Sequence, residues 1–558
     1  MPAPAAVNPF AHRCEVISDA VGMPRAVGGQ FIDQLLTTSN FGEAAPSDDR
    51  TDQTVVYLVS MAYLGRSATP EEAARISHLL ATESPTVIDH SLQSWPACRQ
   101  IPARNQLVPT DPACTYVDVT HTLFLRRNSG IQRVVRQLAK ALAASNHRHA
   151  FVRFDERLCG YRPLTEPERA RLLDWERFSC FDNRLLLTNQ QKTGLKAWLK
   201  KAGRSRFGQP VRRVFRTLRD HSREIRRRLK RGLFSQPEPG VCQFFWEGRL
   251  LLPEVIAATG QLSSLAPILA AAPLRSTMVF YDLLPISHPE CFVSSTVAGF
   301  VEYLTLMRHI DQISCISETV RNQLHPLLST MPRIKPDARS HAHLLAGDFR
   351  PTATAVTDES LSSPEPIVLC VGTIEPRKNQ TRILRAMVTA QQAGQRFRGI
   401  FVGNAGWLNG QFRHELRKAR SCGIQVELHE GISDEALAAL YRTASLTVYC
   451  SVAEGFGLPI VESVMAGVPC LTSNLGSMQE IAEQIGGCSL VNPYSTGCIA
   501  AALTRLLGNQ QELARLTGEA QQARWHSWSY YCEQLMTFVE ADATEQPTSA
   551  DQSLAHAS

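Results

Sequence analysis

Val448–Met478 reads VYCSVAEGFGLPIVESVMAGVPCLTSNLGSM, and the reading of this stretch decides the fold. The run Ser445–Cys450 (SLTVYC) has the length and composition of a buried strand, whereas Leu458–Ala466 spaces its apolar residues as a helix does. Pro459 fits the first turn of that helix, where the N–H it lacks would have had no intrahelical partner. Two glutamates eight positions apart, Glu454 and Glu462, flank a Gly455-Phe456-Gly457 hinge. A strand, a glycine hinge and a helix in that order turn the amides of residues 455–458 outward from a helix N-terminus, a natural seat for oxyanions or sugar hydroxyls. Glu462, one turn in, is placed to accept hydrogen bonds from a vicinal diol such as a ribose. By itself a glutamate there serves equally well to complement the helix dipole.

The alternation extends around this stretch. Between Glu365 and about Trp525 the runs IVLCVG, GIFVGN, IQVELHE, LTVYC, PCLTS and CSLVN have strand character. Between them lie QTRILRAMVTAQQAG, FRHELRKARSCG, DEALAALYRTA and SMQEIAEQIG, which have helical period. Ser433, ahead of Asp434-Glu435, is an N-cap for the third of these helices. Short connections between alternating strands and helices predict a doubly wound, mostly parallel sheet. Residues 350–366, rich in Pro, Ser and Thr, read as the linker before it. In open α/β sheets ligands bind at strand carboxyl ends, and there the chain places Arg377 and Lys378, in VGTIEPRKN after the strand Ile367–Val371. A planar guanidinium beside a point ammonium suits a nucleotide diphosphate, on which charge grows as its sugar leaves. An isolated Arg-Lys pair would read as solvated surface charge.

The sequence EGFGLPIVE, followed by AGVP and SNLGSMQEI and preceded about eighty residues upstream by VGTIEPRKN, resembles glycosyltransferase family 4. These are retaining glycosyltransferases of the GT-B fold, with an E-x7-E signature. The resemblance implies an α/β chain of two Rossmann-like doubly wound domains facing a cleft. Arg377, Lys378 and loop amides, with Gly372 in the same loop, would hold the diphosphate. Glu462 would hold the ribose, while Glu454 and the amides of Gly455, Phe456, Gly457 and Leu458 would grip donor-sugar hydroxyls. Base contacts are expected around Gly431-Ile432. Retention in such families is assigned to departure and attack on one face, with the leaving phosphate oxygen as base. The wording of VGTIEPRKN and YDLLPISHPE is most similar to transferases of bacterial surface polysaccharides that handle mannose or rhamnose. GDP-mannose is therefore the first expected donor and a dTDP- or UDP-sugar the second, with a glycan or lipid-linked acceptor. No D-x-D triplet occurs in the chain. A metal-bridged diphosphate is not expected, nor any cofactor beyond the nucleotide-sugar co-substrate.

Upstream, Cys114–Phe349 reads as the other half of a two-domain transferase. The strand CTYVDVT leads to Ser129-Gly130 at the head of the amphipathic helix GIQRVVRQLAKALAAS. In the family a glycine at this place lets the backbone approach the donor phosphate or acceptor, although an ordinary helix start needs no function there. STMVFYDLLPISHPE reads as a strand entering a loop, ISCIS as a strand and ETVRNQLHPLL as its helix. Relatives tend to carry His-Asp where this chain has Tyr281-Asp282, so Asp282 alone is carried over as a candidate catalytic residue. His288 nearby reads as a loop-bracing residue.

Residues 1–105 hold helical patterns without strand alternation, and AYLGRSATPEEA resembles a small helical module found beside bacterial cell-surface enzymes. The domain reading is thus a helical accessory region at 1–105, an acceptor-side domain at 106–350, a donor-nucleotide domain at 365–540 and a disordered tail at 541–558. At 558 residues, 44% apolar and 20% charged, the chain has room for about three domains. Its fifteen cysteines contain no C-x-x-C pair, which disfavours a zinc ribbon or a redox motif and favours reduced thiols in the cytoplasm. The N-terminus carries no basic-then-apolar signal, and no apolar run has bilayer-spanning length.

Charge is concentrated in one place. Lys196–Arg231, inside a basic insertion at 196–235, holds fifteen Lys/Arg against Asp220 and Glu224, while the whole chain is only +6. With apolar residues at helical spacing, this segment reads as an amphipathic element for an anionic membrane surface, which places the protein on the inner face of the plasma membrane. No nucleic-acid motif accompanies it, and a solvated helix packed on its own domain is the plainer alternative. Two other functions compete with transfer: a non-catalytic carbohydrate-assembly scaffold, and a sugar-nucleotide oxidoreductase. The latter needs a G-x-G-x-x-G after a strand, which neither VGTIEPR nor EGFGLPIV supplies.

Overall fold

The computed structural model describes residues 9–38, 48–95, 106–124, 130–155, 158, 160–175, 241–256, 259–331, 339–347 and 365–541. The basic segment 196–231, nearly all of the linker 350–366, Ser129 and tail residues 542–558 lie outside them. Two compact units divide the chain. One takes residues 1–43, 55–109 and 151–244, the other 44–54, 110–150 and 245–558.

The first unit contains the helix Pro9–Val21, which the sequence reading did not single out, and helices where helical patterns were read, Gly29–Thr37, Pro70–Thr82, Pro85–Ser94 and the C-terminal part of Asp48–Leu64. They bury Ile17, Phe31, Leu35, Leu58, Ile76, Ile88 and Leu92. Thr69 starts its helix with a capping box. The Glu72 backbone N–H donates to the Thr69 hydroxyl at 3.3 Å, and the Thr69 backbone N–H donates back to the Glu72 carboxylate at 2.8 Å. The unit is not purely helical. Gln106–Pro109 pairs in parallel with Val241–Phe244, and Val152–Asp155 pairs antiparallel with Gly160–Pro163.

The second unit is built on two parallel sheets. The first contains β1 (Thr115–Asp118), β2 (Arg249–Leu252), β3 (Arg275–Phe280), β4 (Gln312–Cys315) and β5 (Arg339–Ala342), paired side by side in that order. Helix α1 (Gly130–Ala144) follows β1, and α2 (Glu318–Thr330) follows β4. The second sheet has six strands: β6 (Ile367–Val371), β7 (Arg398–Val402), β8 (Val426–His429), β9 (Leu446–Tyr449), β10 (Cys470–Ser473) and β11 (Cys488–Val491). Their spatial order is β8-β7-β6-β9-β10-β11, with every pairing parallel. Helices α3 (Gln380–Gln392), α4 (Leu458–Met465) and α5 (Gly476–Ile485) connect these strands. All six strand runs read from the sequence are here. Ser433 also acts as the cap foreseen, accepting from the Ala436 N–H at 3.2 Å.

Burial explains the strand composition. Val368 and Cys370 turn to one face of β6, packed with Ile383, Leu384, Met387, Ile499 and Leu503. Ile367 and Leu369 turn to the other, with Ile400, Val402, Leu440 and Tyr441. A strand covered on both faces reads as a continuous apolar run. Each such side chain contributes on the order of 2 kcal/mol by leaving water.

The last helix, α6 (Trp528–Glu540), belongs by sequence to the 365–540 segment yet packs on the first sheet's side. The Gln312 side-chain amide donates to the Phe538 carbonyl at 2.8 Å, and Arg275 donates to the Ala541 carbonyl at 2.5 Å.

Candidate active site at the switch point of the second sheet

Strand order in the second sheet reverses between β6 and β9, and ligands of open α/β sheets bind outside the carboxyl ends at such a point. The loops leaving these two strands carry the residues singled out from the sequence. After β6, Pro376–Lys378 forms a short turn closed by Asn379, whose φ of 63° is left-handed. The Asn379 side-chain amide donates to the Cys450 and Pro493 carbonyls, both at 2.9 Å, and so ties the β6 loop to the β9 loop. Sequence reasoning gave Asn379 no task, although it stood inside the quoted motif.

Arg377 and Lys378 converge on one carboxylate. The Arg377 guanidinium ion-pairs with Glu454, and it donates to the Glu375 carboxylate at 2.8 Å and the Ala453 carbonyl at 3.1 Å. Its buried Nε has no hydrogen-bond partner among the described residues. The Lys378 ammonium lies 2.7 Å from the second Glu454 oxygen and donates to the Tyr449 hydroxyl at 2.6 Å. Burial alone would raise the Glu454 pKa, but the two cations outweigh it and hold the carboxyl at about 2. Burial lowers Lys378, opposed by the Glu454 charge. Glu375 and Asp282 shift upward, in both cases mainly through burial, with Arg377 pulling them back.

Three serine contacts orient the glycine hinge. The Ser477 hydroxyl shares its one proton between the Glu454 carbonyl at 2.9 Å and the Phe456 carbonyl at 2.8 Å, and Ser317 donates to the Gly455 carbonyl at 2.8 Å. A carbonyl and the next residue's amide point in opposite directions across a planar peptide, so the amides of 455–457 turn away from these serines. Both glycines are required. A Cβ on Gly455 would sit 2.1 Å from the Tyr281 carbonyl oxygen, and Gly457 has a φ of 135°. The Phe456 ring is buried edge-on to Trp525, with ring centroids 6.4 Å apart. Leu458 opens α4, with Pro459 in its first turn.

Glu462 lies on α4, almost fully buried. It accepts from the Tyr441 hydroxyl at 3.0 Å and ion-pairs with Arg133 of α1. Asp282 accepts from the Leu284 amide at 3.1 Å, close enough to Arg377 to feel its charge. Tyr281, at the family's histidine position, is buried with its hydroxyl donating to the Pro253 carbonyl at 2.8 Å. Gly130 begins α1, and a Cβ there would meet no atom within 4 Å, so packing does not demand glycine. Gly372 stands at the β6 exit with Lys378 alongside, and Ile432 packs against the apolar face formed by β6, β7 and Tyr441. Among the described residues no group of three or more His, Cys, Asp or Glu is arranged to hold a metal ion, and no helix is long and apolar enough to cross a membrane.

A Rossmann-type strand order carrying cations after its first strand and an E-x7-E pair after its fourth is the arrangement that the sequence resemblance leads one to expect. Residues 354–523 match the family model of Glycosyl transferases group 1. Over 245 residues, 42% of this chain and 29% of the relative, the protein is 27% identical to the serotype-specific mannosyltransferase WbdA of Escherichia coli. Over 164 residues, 29% of this chain and 42% of the relative, it is 34% identical to the O-antigen chain mannosyltransferase B of Escherichia coli. It thus spans less than half the length of these curated relatives. Sucrose-phosphate synthase from Thermosynechococcus elongatus overlays with a TM-score of 0.49 at 16% identity, covering 76% of this chain and 97% of that one.

Proposed function

We propose that the protein is a retaining, metal-independent hexosyltransferase acting in bacterial surface polysaccharide synthesis. It moves a hexose, mannose before rhamnose, from a nucleoside diphosphate sugar to a glycan or lipid-linked acceptor. The convergence of Arg377 and Lys378 on Glu454 at the switch point carries this reading. The two mannosyltransferase relatives support the sugar.

The cations already have partners, so an incoming diphosphate exchanges partners rather than filling a bare cationic pocket. Glu454 turns to accept hydrogen bonds from the donor-sugar hydroxyls. Arg377, whose Nε is unpaired, and Lys378 turn to the phosphate oxygens. There they stabilise the charge that develops on the leaving diphosphate, and its oxygen takes the acceptor's proton on the face the sugar leaves. Glu462 holds the ribose, and Asp282 lies near the reacting sugar.

The test is to offer GDP-mannose, dTDP-rhamnose and UDP-hexoses to the purified protein with and without a chelator. Nucleotide release and the anomeric configuration of the product are then followed. Release from GDP-mannose in chelator with a retained anomer is the expected result. An inverted product, or activity that vanishes in chelator and returns with manganese, overturns the mechanism.

One observation favours a scaffold instead: Tyr281 buries its hydroxyl where relatives tend to carry a histidine. A protein that binds a nucleoside diphosphate yet releases none from any sugar donor, with any acceptor glycan, would be that scaffold. Docking on anionic lipid through 196–231 is proposed from sequence charge alone. Co-sedimentation with anionic but not neutral liposomes, lost at high salt, is its expected signature.

A further inference from the structure

Arg133 stands one turn into α1 and ion-pairs with Glu462 of the second sheet's side, 329 residues away in sequence. Asp434 and the Tyr441 hydroxyl are its next electrostatic neighbours. These residues border the nucleoside end of the candidate site: Glu462 on α4, and Asp434 just after the Gly431-Ile432 loop. Each carboxylate oxygen accepts two hydrogen bonds. The Tyr441 hydroxyl takes one position on one Glu462 oxygen, and Arg133 takes one on the other. One acceptor position then remains on each oxygen, the arrangement that two adjacent ribose hydroxyls require. Without Arg133 the carboxylate would be fixed at one oxygen only and free to rotate about its terminal bond.

We propose that Arg133 is a positioning residue for the donor's ribose, acting through Glu462, so that donor binding is tied to contact between the first and second sheets' domains. The inference rests on the reading of Glu462 as ribose ligand. Other contacts run the same way. Ser317, from the first sheet's side, holds the Gly455 carbonyl at 2.8 Å. Glu480 of α5 accepts the Glu318 and Thr319 amides at the head of α2, both at 2.9 Å. The hinge and helix bearing both glutamates are therefore braced from across the domain boundary, and Arg133 is the brace that reaches a ligand-binding carboxylate.

The experiment measures affinity for GDP and 2′-deoxy-GDP by calorimetry, and donor KM and kcat, for the full-length wild type, Arg133→Ala, Arg133→Lys, Glu462→Gln and the double variant Arg133→Ala/Glu462→Gln. A hydrogen bond to a charged group leads us to expect roughly tenfold or greater loss of GDP affinity in Arg133→Ala, with kcat within about threefold. Arg133→Lys should recover part of it. The preference for GDP over its 2′-deoxy form should fall in Arg133→Ala, and the double variant should be no worse than Glu462→Gln. Unchanged GDP affinity and preference in Arg133→Ala, while Glu462→Gln weakens both, overturns the inference. So do additive losses, which would mean that Arg133 touches the nucleotide independently. A Glu462→Gln variant that keeps full GDP affinity fails the ribose reading itself, whatever Arg133 does.

Discussion

The two parallel sheets of the larger unit offer opposite chemistry at their carboxyl ends. After β6 and β9, the carboxylates of Glu375 and Glu454 meet the cations of Arg377 and Lys378. After β1 and β2, the buried carboxylates of Asp118 and Glu254 take hydrogen bonds from backbone amides and neutral side chains. Asp118 accepts from the Thr120 amide at 3.0 Å and from the Gln261 amide at 2.6 Å. Glu254 accepts from the His121 and Thr122 amides, both at 2.6 Å. One strand topology thus serves two purposes. Side-chain charges paired with one another make an edge where, on the proposed function, a ligand exchanges partners with them. Carboxylates bound to backbone amides make a clasp that fixes a turn.

The sharpest way to break this contrast is to remove the exchangeable cations. Arg377→Ala and Lys378→Ala are each expected to lower turnover by on the order of a hundredfold or more, like the loss of one preorganised donor to a developing anion. The variants should stay folded, as circular dichroism would show. Near-normal turnover in either purified variant would make this edge a clasp like the other. Next in size are the two glutamates. Glu454→Gln should lower kcat more than it raises donor KM, because the proposed function sets its carboxylate at the reacting sugar. Glu462→Gln should do the reverse, because the ribose assigned to it in the proposed function does not react. Steady-state kinetics with the reversed split would exchange their roles.

Much of the second sheet was legible because its information is local. Each strand is a short apolar run, each helix has its own period, and the E-x7-E and EPRKN motifs each fall in one short stretch of chain. What stayed hidden depends on distance. Nothing near Glu462 announces Arg133, and nothing in Trp528–Glu540 announces that it returns to the first sheet's side. The serines that aim the hinge amides are ordinary residues until the chain brings Ser317 and Ser477 against it. Tyr281 departed visibly from the family pattern, but only packing revealed that its hydroxyl is turned toward Pro253. The pairing of Gln106–Pro109 with Val241–Phe244 was not visible either, because four-residue strands give too little alternation to be seen.

The smallest effect expected is on stability against pH, and it sharpens the contrast because the two edges should titrate with opposite sign. Glu454 is held at about 2, below the ordinary value of 4.5, so its contribution is present above pH 4.5 and is lost as pH falls toward 2. Burial, reinforced by the Asp118 charge, pushes Glu254 up to about 8, so the folded state holds that proton more tightly than the unfolded chain does. Its contribution is therefore full below pH 4.5 and is lost as pH rises through about 8. His121, shifted downward mainly by burial, stays neutral across the upper part of that window and does not mask it. Thermal unfolding followed from pH 5 to 9 should show the melting temperature of the wild type falling by several degrees relative to Glu254→Gln, which keeps the shape of the side chain but cannot ionise. Below pH 4 the two proteins should fall in parallel, because Glu454 is intact in both. A Glu254→Gln variant whose melting curve follows the wild type from pH 5 to 9 would show that Glu254 is already ionised at pH 5.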